Sequence, residues 1–250
     1  MSAPYDLYDY TAYWQGRTYE DKSERLALKK IFKIVGKKEK FLDIGGGFGR
    51  LADLYSDHFS SCTILEPSEK LIEIAKEKLK AKKNVFIKKG GLPDLPFEKD
   101  SFDVAMLVRV MHHLTDSLKA INEVARVLKK DGYFILEVAN KIHFLARIRS
   151  ILKGNRSYIK DLSPIDCRSK ESIAEDKIIF VDHHPEKILR DLSESGFAIK
   201  EILSVSNFRN NFFKKAIPIK VLLFLEDKLQ KPLSKCFFGP SIFMFCKKVN

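Results

Sequence analysis

At 250 residues and 45% hydrophobic content, the chain can bury a full core, and its length fits one or two domains rather than a small stapled scaffold. Its four cysteines, Cys62, Cys167, Cys236 and Cys246, form no CxxC pair, which excludes a disulfide framework or thiolate metal cluster and suits a reducing, cytoplasmic setting. The net charge of +12 is uneven, with 21 Lys or Arg against 12 acids over 141–250 and 24 against 21 over 1–140; such a surplus suits RNA, an anionic substrate or an acidic membrane surface, and equally a lysine-rich solvated surface.

The first ten residues, MSAPYDLYDY, carry neither a basic nor an apolar leader region, and the longest apolar run, near Val221 to Leu225, is too short to span a bilayer. Tyr5, Tyr8, Tyr10, Tyr13, Trp14 and Tyr19 crowd the first twenty residues, interleaved with Asp6, Asp9, Arg17 and Glu20, a segment too polar for a core strand. A helix is expected over about 18–35, then strands near Lys40, Cys62, Val85, Phe102 and Tyr133 with helices between them. The segment FLDIGGGFGR, Phe41 to Arg50, runs from an apolar strand through Asp43 into Gly45, Gly46, Gly47 and Gly49. Glycines there permit a tight turn and close approach of a ligand to the backbone, with a helix over about 50–58 offering free N–H groups. Glu66 ends the next strand, about 20 residues on, where an acid can accept from ribose hydroxyls. Helical spacing recurs over 68–81 and 117–128, and those apolar faces read as core. After Val138 come an irregular stretch, a helix over 185–194, a strand over 197–205, a second insertion and a last strand near 241–246.

Two further segments, GGLPDLPFEKDSFDVAMLVRVMHHL (Gly90 to Leu114) and LKKDGYFILEV (Leu128 to Val138), complete four ordered blocks. In order and spacing these resemble the class I S-adenosylmethionine-dependent methyltransferases, in particular their small-molecule, type 11-like branch, strongly over about 40–138 and loosely elsewhere. The resemblance implies an α/β Rossmann-like fold: a seven-stranded, mostly parallel sheet with helices on both faces and an antiparallel last strand. It implies a single domain over 1–250, with an N-terminal lid over 1–36, a cofactor core over 37–140, and substrate-side insertions over 141–184 and 206–240. It also implies S-adenosyl-L-methionine as cofactor. Asp43 and the turn of Gly45, Gly46, Gly47 and Gly49 would cradle the methionine portion, Glu66 would hold the ribose, and Pro67, Ser68 and Leu92 would lie beside the adenine. Relatives usually carry an Asp for the adenine amino group where this chain has Gly91, so Asp94 or a backbone carbonyl must substitute. Trp14, Arg17, Tyr13 and Tyr19 would close the lid, Arg17 facing the methionine carboxylate; a merely packed N-terminal arm is the competing role.

Open α/β sheets place ligands at the carboxyl ends of their strands, which directs attention to Arg109, His112 and His113. Either histidine suits a general base, and a structural place at a helix start is the competing role; Arg109 suits a carboxylate or a surface ion pair. His183 and His184, ahead of Pro185, read as a helix entry. No metal site has convincing ligand spacing, so chelation should leave activity intact. Apolar residues alternate with cations in KIHFLARIRSILKG and in FFKKAIPIKVLLFLEDKL, a pattern of ordinary packing and also of a helix resting on an anionic membrane. The expected activity is methyl transfer to a small or lipid-like acceptor. RNA or protein methylation through the basic half, or a non-catalytic cofactor-binding role, are the alternatives.

Overall fold

The computed structural model describes residues 10–36, 38–175 and 177–249, so Tyr5, Asp6, Tyr8 and Asp9 lie outside the described residues. In chain order the elements are α1 (Tyr10–Tyr13), α2 (Thr18–Val35), β1 (Lys38–Ile44), α3 (Ala52–Tyr55), β2 (Phe59–Glu66), α4 (Glu69–Leu79), β3 (Val85–Lys89), β4 (Phe102–Leu107), α5 (Ser117–Val127) and β5 (Leu128–Ala139). They continue with α6 (Phe144–Leu152), α7 (Ser157–Lys160), β6 (Ile165–Asp166), α8 (Lys170–Ala174), β7 (Val181–Asp182), α9 (Pro185–Glu194), β8 (Phe197–Val205), α10 (Asn211–Ala216), α11 (Ile219–Ser234) and β9 (Ser241–Lys248).

Seven strands form one sheet in the order β3-β2-β1-β4-β5-β9-β8. β1 to β5 pair in parallel, and β9 runs antiparallel between β5 and β8. Strand alternation splits the core in two. Leu42, Ile44, Ala105, Leu107, Phe134 and Leu136 face α5 and α9, whereas Phe41, Val104, Met106, Ile135, Phe243 and Phe245 face α2 and α3. Both faces being covered is why these strands read as near-continuous apolar runs. Chain reversals between parallel strands leave the carboxyl ends of β1, β2, β4 and β5 on one rim.

Two segments cover that rim. α1 arrives from the N-terminus, and 140–184, carrying α6 to β7, arrives from the other side. α11 fastens the arrangement through a buried polar stripe: Glu226 accepts from Tyr19 Oη at 2.7 Å and from the Ser206 and Asn207 N–H groups at 2.7 and 3.1 Å. Burial raises the pKa of Glu226, and these donors work in the opposite direction. Tyr19 therefore anchors α2 to α11 and does not close a lid. Apolar periodicity in α6 does not mark packing either: Ile142 is buried, while Leu145, Ile148, Ile151 and Leu152 are exposed.

Candidate active site

The rim's first feature is the turn after β1. Gly45 and Gly47 have φ of +69° and +57°, which a β-carbon disfavours. Their neighbours differ. A Cβ on Gly45 would lie 2.4 Å from Val110 Cγ2, but one on Gly47 would meet nothing nearer than the Tyr10 ring at 3.7 Å. The expected helix over 50–58 shrinks to α3, because a turn at Gly49 (φ +70°) and the pull of Asp21 and Glu24 on the Arg50 guanidinium hold 49–51 outside helical geometry. The N–H groups that this turn presents are loop groups and not a helix end.

Glu66 closes β2 and is buried. Its Oε2 accepts from Gly47 N–H and its Oε1 from Ser68 N–H, both at 2.9 Å, so one carboxylate braces the glycine turn against the next connection. Beside it opens a cleft of about 560 Å³, lined by Gly45, Gly47, Glu66, Pro67, Gly91, Leu92, Arg109 and His113 of the expected set. Asp43 and Gly46 line a smaller hollow that shares Tyr10 and Gly45 with the cleft. Burial, with Glu66 adding to it, lifts the Asp43 carboxyl to about 7 against the Tyr55 hydroxyl and Arg50, and Tyr55 Oη donates to it at 2.9 Å.

Other expectations need correction. Ser68 turns inward: its Oγ accepts from Leu71 N–H and caps α4. Gly49 packs on α4, where a Cβ would be 2.6 Å from Leu79. Asp94 bridges Gly91 through the backbone but lines a separate surface hollow with Glu123 and Arg126 and not the cleft. Gly91 itself has room, since a Cβ there meets nothing nearer than Pro67 at 3.8 Å.

The lid is α1. Tyr10 lies over the turn and reaches the cleft, stacking on Tyr13 at 5.7 Å and meeting Phe48 edge-on at 6.2 Å. Trp14 lines none of the hollows around the turn; it stacks on the Arg50 guanidinium, 3.6 Å from the ring centroid. Arg17 also misses the cleft, its guanidinium 4.0 Å over the Tyr13 ring on the way to a different cavity. Arg109 lines the cleft. Its φ of +61° aims it across the rim, its N–H donates to Glu137 at 2.9 Å, and its side chain holds Glu24 and the Tyr13 hydroxyl. Burial opposes that charge, but Glu24, Tyr10, Tyr13 and Glu137 outweigh it and raise the pKa.

A short 3₁₀ turn, Met111–His113, carries both histidines. His112 is buried against His113 and Phe180, with centroids 4.0 and 4.6 Å away. His113 reaches the cleft, its Nδ1 2.7 Å from the Ile179 carbonyl. Burial lowers both pKa values, and the Ile179 carbonyl opposes the shift at His113. Both rings line an aromatic annex of about 170 Å³ that shares Tyr10, Arg109, His113 and Ile178 with the cleft. Ile178 and Ile179 come from an irregular part of the insertion, where no motif or period points to them; Tyr10 was visible only as one tyrosine among several. His183 and His184 hold structure: His183 Nε2 lies 3.1 Å from the Met111 carbonyl, and His184 Nδ1 accepts from Glu186 N–H to cap α9. Among the described residues no group of three His, Cys, Asp or Glu side chains could hold a metal.

On the other side of the Tyr13–Arg17 contact lies a cavity of about 750 Å³ at the carboxyl end of β8 and the start of β9. Arg17, Arg149, Arg209 and Lys214 line it with Glu20 and His143, and Phe144, Leu145, Phe213 and Phe238 supply apolar wall. Glu20 Oε1 pairs with Lys214 at 2.9 Å, and its buried Oε2 has no hydrogen-bond partner among the described residues.

A family model described as "Methyltransferase domain" matches residues 42–136. An uncharacterized protein of Methanocaldococcus jannaschii is 30% identical over 224 residues, covering 88% of this chain and 83% of that protein. The uncharacterized methyltransferase YcgJ of Bacillus subtilis is 38% identical over 101 residues, only 40% of either chain; its crystal structure superposes with a TM-score of 0.53 at 20% identity, over 90% of this chain and 95% of that one. A demethylmenaquinone methyltransferase of Chlamydia caviae is 29% identical over 140 residues, 55% of this chain and 59% of the relative. Apart from the archaeal protein, these sequence matches stop short of two thirds of the relatives' length.

Proposed function

Because this chain belongs to the class I S-adenosylmethionine-dependent methyltransferases, we propose that it methylates a small, partly apolar or lipid-like acceptor whose reacting end enters the aromatic annex. The observation carrying this reading is that annex and cleft share Tyr10, Arg109, His113 and Ile178. A reacting atom in the annex would therefore lie next to a cofactor held in the cleft. The residues present fit the cofactor: a glycine turn, a buried acid at the end of β2 and an apolar, open wall at Gly91 and Leu92. S-adenosylmethionine supplies an electrophilic methyl on a sulfonium, so the protein's task is alignment and exclusion of water, with a base where the nucleophile bears a proton.

In this reading Glu66 would accept from the ribose hydroxyls, Gly45 and Gly47 would let the backbone approach, and Pro67, Gly91 and Leu92 would flank the base. Asp43, behind Gly46, and Arg109 set the field around the methionine portion. Tyr10 and the Ile178–Ile179 strip close the cleft from two sides. His113, neutral near pH 7 because burial depresses its pKa, is placed to receive an acceptor proton, while His112 packs behind it. The quinone-related substrate in the Chlamydia caviae relative's name favours a lipid-like acceptor, and exposed Ile148, Ile151, Phe212 and Phe224 beside Lys and Arg suit weak contact with an anionic membrane. No helix of the described residues is long and apolar enough to cross one.

Radiolabelled methyl transfer to fractionated cell extract tests this reading. Label should partition into organic solvent or the small-molecule fraction. Label in the nucleic-acid or protein pellet would replace the acceptor assignment, and binding without transfer to any fraction would leave a cofactor-binding protein.

A further inference from the structure

We propose that the 750 Å³ cavity beyond Tyr13 binds a phosphate or diphosphate group carried by the methyl acceptor. Assigning that anion to the acceptor rests on the methyl-transfer reading; the binding of the anion does not.

Three guanidiniums converge on this cavity from separate parts of the chain: Arg17 at the start of α2, Arg149 in α6 and Arg209 in the loop after β8. Elsewhere Arg25, Arg50, Arg109, Arg126 and Arg168 each hold a carboxylate. Among the described residues, no ion pair or side-chain hydrogen bond engages Arg17, Arg149 or Arg209; Arg17 has only the face of Tyr13. Glu20, the acid in the cavity wall, is paired with Lys214 and reaches Arg209 only through space, outside ion-pair distance. Asp182 attracts Arg209 from outside ion-pair distance.

The arrangement is built. Ser206 adopts φ +60°, and Glu226 grips the Ser206 and Asn207 N–H groups, which sets the path of the loop that carries Arg209. Convergent like charges in a concave wall repel one another and destabilise the fold unless an anion joins them. His143, in the same wall, registers that field: burial first, then Arg209, Arg149 and Arg147, push its pKa down to about 4. Planar guanidinium forks match phosphate oxygens in pairs, and three of them suit a group bearing more than one negative charge. Phe144 and Phe238, stacked at 4.8 Å, provide the apolar wall beside them. The chemistry is therefore an organic phosphate or diphosphate with an apolar portion, either a soluble ester or a lipid headgroup.

Titration of the full chain with inorganic diphosphate at fixed ionic strength reads the site directly. Arg149→Gln/Arg209→Gln should weaken binding by about tenfold or more, while Lys76→Gln/Lys83→Gln, which removes two exposed charges on the cofactor side, should change it by less than about twofold. S-adenosylmethionine affinity and circular dichroism should be unchanged in both, and Arg149→Gln alone serves as a milder variant of the same site. Equal loss in the two double variants, or no diphosphate binding by the folded parent, overturns the proposal. So does a short single-stranded RNA held by the same arginines about tenfold more tightly than diphosphate. Co-sedimentation with phosphatidylcholine vesicles, with and without phosphatidic acid, separates the sources: an arginine-dependent gain with phosphatidic acid marks a lipid phosphate, and its absence a soluble ester. Loss of S-adenosylmethionine binding in the parent would break the methyl-transfer reading and leave the anion site standing.

Discussion

The cofactor cleft and the arginine cavity sit on one rim but are made differently. Most of the cleft comes from residues 44–114, using loop N–H groups and the inward carboxylate of Glu66, and the nearby cations Arg50 and Arg109 are consumed by Asp21 and Glu24. The cavity draws on residues 15–20, 143–149, 207–214 and 238–240, and three of its cations make no ion pair among the described residues. A ligand read by backbone shape leaves a local motif. One read by converging side chains leaves only a charge surplus, which cannot by itself separate neutralised cations from available ones.

The largest expected effect breaks the cleft. Glu66→Ala removes charge-assisted hydrogen bonds and the brace on Gly47, so S-adenosylmethionine affinity should fall by about a hundredfold in a folded protein. Calorimetry with unchanged affinity would remove the pocket from consideration. Next, His113→Gln should lower kcat by about tenfold with cofactor affinity within about twofold if His113 takes the acceptor proton; parallel loss of both would assign it to packing against Ile179.

Acid–base behaviour should distinguish the two regions by sign. Asp43 in the cleft region has a folded pKa of about 7, above its ordinary 3.8. Its contribution to stability is present below about pH 4 and lost as pH rises through 7, up to about 4 kcal/mol. His143 in the cavity has a folded pKa of about 4, below its ordinary 6.5, so its contribution is present above pH 6.5 and lost as pH falls toward 4. Urea titrations at pH 4, 5.5 and 7 should show Asp43→Asn gaining most at pH 7 and His143→Gln gaining most at pH 4; the same slope for both would contradict the assigned environments.

Smaller effects sharpen the picture. Gly91→Asp places a carboxylate beside the cleft at a position with room for it, and should tighten S-adenosylmethionine binding by about threefold; weaker binding would show that the local backbone, not a side-chain acid, sets recognition. Leu145→Ser/Ile148→Ser alters exposed side chains, so stability should move by about 0.5 kcal/mol or less. Sedimentation with anionic vesicles at low salt should nevertheless fall; a large drop in Tm instead would mean that α6 is core.

Within the central sheet, apolar runs and glycine punctuation place β1 to β5, and the helices over 18–35 and 185–194 agree with the structure to the residue, because their periodicity and end signals are local. The helix over 50–58 failed where tertiary forces intervene, since Arg50 is drawn to acids almost thirty residues earlier. Ser68 and Gly49 belonged to the right motif but served helix capping and packing, roles that spacing does not separate from ligand contact.

The order of apolar strands, the Gly45–Gly49 turn and the acid at Glu66 were determined by the sequence itself, since each depends on neighbouring residues and on backbone freedom. Only the tertiary structure decided that Tyr10 covers the turn, that Ile178 and Ile179 reach the cleft, and that Arg17, Arg149 and Arg209 share a cavity. Those meetings depend on how long connections fold back over the rim, and the free energy that holds them comes from contacts such as Tyr19 with Glu226, 207 residues apart.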